Sequence, residues 1–422
     1  MIERTIPLNQ LRKFKDMDII KVVTGMRRSG KSTLFKLYIQ WLKAQGIQED
    51  HIIYINLESA NYDNIQDYHA LYSLVKSSVV DYKKYYVFID EVQNVKNFEK
   101  AVNSLCVDLN IDLYLTGSNA FLLSGELATL LSGRYVEIKM HTLSFSEYFS
   151  VHSEQNIEDA MLAWLKFGGF PFLAQTQDET IISDYLDGIY NTIVLKDIIQ
   201  KNNIKDTSLL KSILNMVLSS IGSIISSSSI CKALKAEGRI ITNETVEKYL
   251  QVFCNAFILE KVVRYDIKGK AYLKTLNKYY VSDLGLRNHI LGFRQIEPTH
   301  ALENAVYFEL VRQGYKVDIG ALRGTNGHDK EIDFVARKDD TIEYYQVSYT
   351  VNNPDTLERE LSAFNSIQDH YPKYLITMDK DFVNNLNGVK KLYAPEWFLG
   401  KPHSLQEYPH NTSQNRQCTM GH

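Results

Sequence analysis

Short apolar runs, rich in β-branched and aromatic residues, recur through the first part of the chain. Residues 19–24, 52–57, 85–90, 113–116 and 135–138 read as strands, with helical stretches between them. Strands apolar almost throughout, alternating with helices, predict a parallel sheet covered on both faces. After the first run, Leu34, Leu37, Tyr38, Trp41 and Leu42 fall on one helical face, and Gly46 suits the end of that helix.

Beyond about residue 150 the rhythm changes. Residues 157–201 read as helical, punctuated by Gly168-Gly169, with Tyr185, Ile189, Ile193 and Ile198 as an apolar stripe. This predicts a lid or connector. A helix begins at Leu209, Leu210, Ile213 and Leu214. The serine run 226–229 offers an N-cap for a helix over 230–236, Gly238 ends it, and Asn243 caps another over 244–255. Two β-like runs, 258–265 and 272–281, meet at the turn Lys268-Gly269-Lys270. Three helices and a hairpin predict a winged helix. From about residue 299 the pattern becomes a helix over 302–313, strands at 316–319, 331–336 and 343–348, a helix over 356–366, and a strand at 374–377. The last stretch, 401–422, is polar without an apolar period and is expected to be mobile.

A length of 422 residues suggests two to four domains. Hydrophobic residues at 45% and charged residues at 23% are ordinary for a soluble globular protein. No apolar run reaches the length of a membrane span, so no membrane is expected as a partner. Met1-Ile2-Glu3-Arg4 opens a charged strand, not a signal peptide. Cys106, Cys231, Cys254 and Cys418 are scattered and form no C-x-x-C pair, which fits a reducing cytoplasm without disulfides or a zinc site. A net charge of −3 argues against a chain that coats nucleic acid along its whole length, and leaves a local basic face open.

The stretch Gly25-Met26-Arg27-Arg28-Ser29-Gly30-Lys31-Ser32 reads G-x-x-x-x-G-K-S, between a strand and a helix. Glycines allow the tight turn that aims N–H groups at phosphate, and the helix N-terminus adds positive potential. Gly25, Arg28, Ser29, Gly30, Lys31, Ser32 and Thr33 are therefore nucleotide-binding candidates. Lys31 supplies charge for the β/γ-phosphates and Ser32 a hydroxyl for Mg²⁺. The third strand ends in Tyr86-Val87-Phe88-Ile89-Asp90-Glu91, the Walker B pattern. Asp90 would hold Mg²⁺, directly or through water, and Glu91 would polarise the attacking water. The next strand ends in Leu115-Thr116-Gly117-Ser118-Asn119, where Ser118 or Asn119 can contact the γ-phosphate or position water. Arg134, after Gly133, can reach the γ-phosphate in its own subunit or a neighbour's.

At these residues the chain resembles the bacterial and archaeal AAA-type ATPase family that carries a C-terminal domain of unknown function (DUF4143-like). Leu143-Ser144-Phe145-Ser146-Glu147-Tyr148 is similar to the stretch that closes that family's ATPase core, and Gly168-Gly169-Phe170-Pro171 to its "GG-(F/Y)-P" turn. The resemblance spans nearly the whole chain up to about residue 395. It implies ATP and Mg²⁺ as cofactors and ATP hydrolysis as activity, with no assigned cellular task. The expected fold is α/β: a P-loop NTPase core of AAA type with a parallel sheet (1–150), a helical lid (151–205), a winged-helix domain (206–285), a restriction-endonuclease-like α/β domain (286–398) and a tail (399–422).

The C-terminal order αβββαβ resembles the core of such nucleases, whose chemistry wants an acid on the first helix, an Asp on the second strand and E-x-K on the third. Glu303 and Asp333 match. The third strand reads Gln346-Val347-Ser348, so the acid is an amide and nothing replaces the lysine's charge. Glu331 shares a face with Asp333 and can substitute only if the strand bends. A nuclease-like fold without cleavage is the expectation. The recognition-helix position carries Glu244 and Glu247 beside one Lys248, whereas the hairpin has Lys261, Arg264, Lys268, Lys270 and Lys274. The partners expected are ATP, and double-stranded DNA or a protein through the C-terminal half, with a homo-oligomer left open. The leading reading is a nucleotide-dependent switch; a nucleotide-bound scaffold and an ATP-gated nuclease are the alternatives.

Overall fold

The computed structural model describes residues 2–118, 133–202, 204–293, 297–322, 330–380 and 385–400, apart from the side chains of 195–197, 274 and 275. Asn119, the Lys274 side chain and the polar tail lie outside the described residues. The chain opens with helix α1 (Thr5–Lys13), where the pattern predicted a charged strand. Pro7 suits its first turn, and Leu8 and Leu11 are buried one turn apart.

The first sheet has the order β2 (Ile52–Asn56), β3 (Tyr85–Asp90), β4 (Ile111–Gly117), β1 (Ile20–Thr24), β5 (Tyr135–Lys139), with every pair parallel. All five residues of β1 and all six of β3 are buried, as a strand covered on both faces requires. On one face α2 (Lys31–Ala44) packs Leu34, Phe35, Tyr38 and Leu42 against Val23, Phe88 and Tyr114. Each such burial contributes roughly 2 kcal/mol. On the other face lie α3 (Tyr68–Ser78) and α4 (Phe98–Asp108), through Leu71, Val75, Ala101 and Leu105. Lys21 is the one cation inside β1, and its ammonium is paired with buried Asp112.

A short helix, α5 (Phe145–Phe149), is capped by Ser144 and Glu147 in a reciprocal capping box. Then come α6 (Ile157–Phe167) and α7 (Glu179–Asn191), the latter continuing as a π-helical stretch through Gln200. Helices α8 (Thr207–Ser219), α9 (Ser227–Ala236) and α10 (Asn243–Asn255) precede the hairpin β7 (Leu259–Asp266) and β8 (Ala271–Val281). Thr242, not Asn243, caps α10, because its side chain accepts the Thr245 N–H. After α11 (Leu284–Ile290) and α12 (Pro298–Arg312) come β9 (Lys316–Leu322), β10 (Lys330–Lys338), β11 (Thr341–Val347), α13 (Pro354–Phe364), β12 (Lys373–Thr377), β13 (Asn385–Leu386), β14 (Val389–Tyr393) and α14 (Ala394–Phe398).

The hairpin does not stand apart from these strands. One nine-stranded sheet runs β13-β14-β12-β11-β10-β9-β7-β8-β6, where β6 is Ile224–Ile225. Its join is the parallel pairing of β7 with β9, Arg264 opposite Ile319.

Three distant segments meet at backbone contact. Leu143 donates its N–H to the Gly169 carbonyl (2.7 Å), and Gly169 donates to the Asp283 carboxylate (2.8 Å). Asp283 also caps α11 by accepting the Leu286 N–H (3.0 Å). A Cβ on Gly168 would lie 2.2 Å from the Asp283 carboxylate, one on Gly169 2.5 Å from the Leu143 carbonyl oxygen, and one on Gly285 1.9 Å from the Phe167 carbonyl oxygen. The glycine pair is thus a close-approach requirement. Gly285→Ala is expected to lower stability by about 1–3 kcal/mol or more through overpacking. Gly188→Ala, whose Cβ meets nothing within 4 Å on helix α7, should raise it by roughly 0.5–1 kcal/mol. Thermal unfolding of the two variants checks this; a Gly285→Ala protein as stable as the parent contradicts the packing.

Candidate functional site

The loop from β1 to α2 alternates backbone handedness: Arg28 has φ +63° and Gly30 φ +103°. Such alternation turns successive N–H groups to one side and forms an anion-binding nest, to which the unsatisfied N–H groups of α2 add. Gly25 (φ +148°) allows a further approach, since a Cβ there would lie 2.2 Å from the Met140 carbonyl oxygen just past β5.

Lys31 opens α2 and is 4% exposed. Its ammonium lies 3.1 Å from the Gly25 carbonyl, 3.3 Å from that of Met26 and 3.5 Å from the Glu91 carboxylate. Burial lowers its pKa, and the nearby Glu91 and Asp90 carboxylates offset this only in part. Ser32 and Thr33 follow it, half-buried, in the first turn. The Ser29 hydroxyl is buried without a hydrogen-bond partner.

Opposite, β3 delivers Asp90 and Glu91 at its C-terminal end. Tyr54 donates to Asp90 (2.9 Å), and the Thr116 hydroxyl donates to the other Asp90 oxygen. The Glu91 N–H donates to Thr116 Oγ1 (2.9 Å), with Glu91 itself at φ +56°. Gln93 donates to the Glu91 carboxylate and lies 3.4 Å from Ser118 Oγ. Burial pushes the Glu91 carboxyl up, but Lys31, Gln93, Ser118 and Arg27 outweigh it, so it stays below the usual range and is ionised at neutral pH. Lys31, Asp90, Glu91 and Ser118 therefore converge.

Sequence reasoning missed the groups that hold them. Thr116, one strand over, orients the Asp90 carboxylate and anchors the Glu91 backbone, although it stands within the segment read for Ser118. Tyr54 and Gln93 carried no signal of their own. Arg4, before α1, is 4% exposed. Its guanidinium donates to the Ser29 carbonyl (2.8 Å), the His141 carbonyl (2.7 Å) and the Glu147 carboxylate (3.0 Å). A nest that turns N–H groups inward turns carbonyls outward, and Arg4 holds the Ser29 carbonyl in that sense. Beside the loop, Arg27, Arg28, Tyr185, Gly188 and Ile189 line a cleft of about 370 Å³ between the loop and α7.

Arg134 does not join this group. Its carbonyl accepts the Ile20 N–H (2.8 Å), which puts it where the strands begin. Strands advance about 3.3 Å per residue, so the loop at the far end of β1 is roughly 15 Å away. The expectation that Arg134 reaches a phosphate in its own subunit is corrected by this parallel geometry.

The donor set fits a Mg²⁺-bound nucleoside triphosphate. A desolvated ammonium, a nest of N–H groups and an orphaned Ser29 hydroxyl suit anionic oxygen, and the Ser32 hydroxyl and the Asp90 carboxylate are hard oxygen donors of the kind Mg²⁺ takes. With the strand order, this defines an AAA-type P-loop ATPase domain. Residues 18–149 match the family described as "AAA domain", and residues 158–297 a domain of unknown function, DUF8612, where the resemblance had implied DUF4143. An uncharacterized protein of Haemophilus influenzae is 42% identical over 404 residues, 94% of this chain and 99% of the relative. An uncharacterized protein of Methanocaldococcus jannaschii is 32% identical over 361 residues, 82% of this chain and 78% of the relative. The chain belongs to the family of these proteins. A Walker-type ATPase of Pyrococcus abyssi overlays with TM-score 0.48 at 14% identity, covering 69% of this chain and 96% of that one. That likeness is too loose to carry the fold assignment, which rests on strand order and the family match. No helix among the described residues is long and apolar enough to cross a membrane.

Proposed function

We propose that the chain binds Mg-ATP and hydrolyses it as a nucleotide-dependent switch. The observation that carries this is the desolvated Lys31 ammonium at the head of α2, facing the Asp90–Glu91 pair. Lys31 holds the β/γ-phosphates, Ser32 and Asp90 hold Mg²⁺, and Gly25, Arg28, Ser29, Gly30 and Thr33 shape or line the loop. Mg-ATP supplies the electrophilic phosphoryl group. Glu91 accepts a proton from the attacking water, and Gln93 with Ser118 keeps its carboxylate oriented. Glu91 is ion-paired with Lys31, so an anion that draws Lys31 away releases the base. Without a cation from a neighbouring subunit, turnover is slow.

The C-terminal half is the moved part. Helices α8–α10 and the β7–β8 hairpin, with β6 on β8, support a winged-helix reading, and β9–β12 with α12 and α13 a nuclease-like one. Sharing one sheet, they move as one body and not as separate modules. Double-stranded DNA or a protein is the partner proposed. Lys261, Lys268 and Lys270 are exposed on the hairpin, whereas Arg264 is buried and is withdrawn from the expected basic face. Free Cys106, Cys231 and Cys254 suit a reducing, cytoplasmic setting.

Arg134 is proposed to act on a neighbouring subunit. It is exposed at the end of the sheet opposite its own loop, beside exposed Met17 and Val107 in a cleft of about 220 Å³.

Lys31→Ala should weaken ATP binding by tenfold or more, about 1.4 kcal/mol per tenfold. Glu91→Gln should bind ATP normally while turnover falls roughly 10²–10⁴-fold. Calorimetry and phosphate release check both; a Glu91→Gln protein that turns over like the parent removes Glu91 as the base. Arg134→Ala alone should bind ATP and hydrolyse poorly, and mixing it with Lys31→Ala should restore part of the activity. Full activity of Arg134→Ala alone would reduce it to a surface charge.

A further inference from the structure

The carboxylate pocket of the C-terminal domain holds a cation that the local sequence does not contain. Glu303 comes from α12; Glu331 and Asp333 come from β10, on one face two residues apart. The pairing of β10 with β9 shifts register between Ile332 and Val335, so the strand is irregular across Asp333. Into this pocket β8 delivers Lys278, 2% exposed. Its ammonium lies 2.9 Å from Glu303, 2.7 Å from Glu331 and 3.9 Å from Asp333. The expectation that nothing replaces the missing lysine charge is therefore corrected: the charge comes from the preceding hairpin, about seventy residues before Ser348.

The groups around the pocket are engaged elsewhere, except Glu331 Oε2, which is buried without a hydrogen-bond partner. Tyr280 donates to Glu303 Oε1 (2.6 Å), the same oxygen that meets Lys278. The second Asp333 oxygen accepts the Val347 N–H (2.8 Å). Gln346 accepts the Asp333 N–H through its carbonyl (2.7 Å) and donates to Glu360 (2.9 Å), so its amide oxygen serves the backbone. Ser348 donates to the Thr350 carbonyl (3.0 Å). Gly222, before β6, closes the pocket: a Cβ there would lie 2.9 Å from Glu303 Oε2 and 2.8 Å from the His300 ring. One oxygen from each of three carboxylates is left facing one ammonium. An ammonium has three N–H donors and a +1 charge on a compact head, so it is a chemical match for that seat. A divalent cation in the same place would require carboxylate oxygens at about 2.0–2.6 Å, with Lys278 displaced.

We propose that Lys278 stands in for a divalent cation in the Glu303–Glu331–Asp333 pocket, so that the pocket is an internal lock between the hairpin and the C-terminal domain and not a metal-dependent cleavage centre. The lock lies on the shared sheet near the β7–β9 join and fastens the same two parts a second time. A buried lysine without its acids, or acids without their lysine, is strongly destabilising, which makes the lock cooperative.

The test uses the nucleotide-free full chain and Mn²⁺ as the probe, read by thermal unfolding. The native chain should keep its Tm in millimolar Mn²⁺. Lys278→Met should unfold at lower temperature and recover by several degrees with Mn²⁺, and Lys278→Met with Asp333→Asn should not recover. A Mn²⁺-dependent rise in the native chain that Asp333→Asn abolishes, or no recovery of folded Lys278→Met, overturns the proposal. If Lys278→Met does not fold, the native chain decides the matter by lysine acylation and peptide mass analysis. Lys278 should stay unmodified with and without Mn²⁺ while exposed Lys268 reacts; acylation of Lys278 at the rate of Lys268, or on adding Mn²⁺, overturns it.

Discussion

The approach of three backbones around the Asp283 carboxylate is the constraint on which the rest of the structure depends. Phe167–Gly169 ends the first lid helix, Leu143 leaves the ATPase core, and Asp283–Gly285 starts α11. None of these contacts tolerates a side chain at Gly168, Gly169 or Gly285. Burial pushes the Asp283 carboxyl up to about 6 despite N–H donors from Gly169, Leu286 and Gly285. Desolvating a carboxylate is costly, and the donors offset that cost only while all three segments stay in place. The lid and the C-terminal half are therefore referenced to the last residues of the ATPase core and not to a flexible linker.

The phosphate loop is referenced to the same residues. Arg4 holds the Ser29 carbonyl and the His141 carbonyl with one guanidinium, and lies 3.5 Å from the Thr142 carbonyl. From the other side, Arg312 at the end of α12 donates to that Thr142 carbonyl (3.1 Å). Glu303, which seats Lys278, lies on the same helix. A shift of the loop on ligand binding thus has a short, packed route: Ser29, Arg4, Thr142, Arg312, α12. Ser29, Arg4 and Thr142 are buried and Arg312 is partly so, and packed interiors transmit strain because they have no slack to absorb it.

Local chemistry was legible in the sequence, and contacts across the fold were not. The strands of the first sheet lie within two residues of their sequence-read limits, because buried parallel strands write themselves as unbroken apolar runs. The phosphate loop and the Asp90–Glu91 pair are contiguous motifs whose spacing carries their geometry. Arg4 and Lys278 act at positions more than a hundred and about fifty residues from some of their partners, and nothing near them in the chain marks them. Arg134 is close to Ser118 in sequence but starts β5, and in a parallel sheet the start of one strand is far from the end of another. The join of β7 to β9 was hidden for a related reason: parallel pairing across two intervening helices leaves no turn signature.

The central claim is that nucleotide in the loop is felt in the C-terminal half through Arg4 and Thr142. Hydrogen exchange of the full chain, with and without a non-hydrolysable Mg-ATP analogue, tests it most directly in the parent and in Arg4→Ala. The account predicts slower exchange over residues 25–33 together with changed exchange at 141–143, 168–169 and in α12, and loss of the distant changes in Arg4→Ala with loop protection retained. Protection confined to the loop in the parent protein would contradict it.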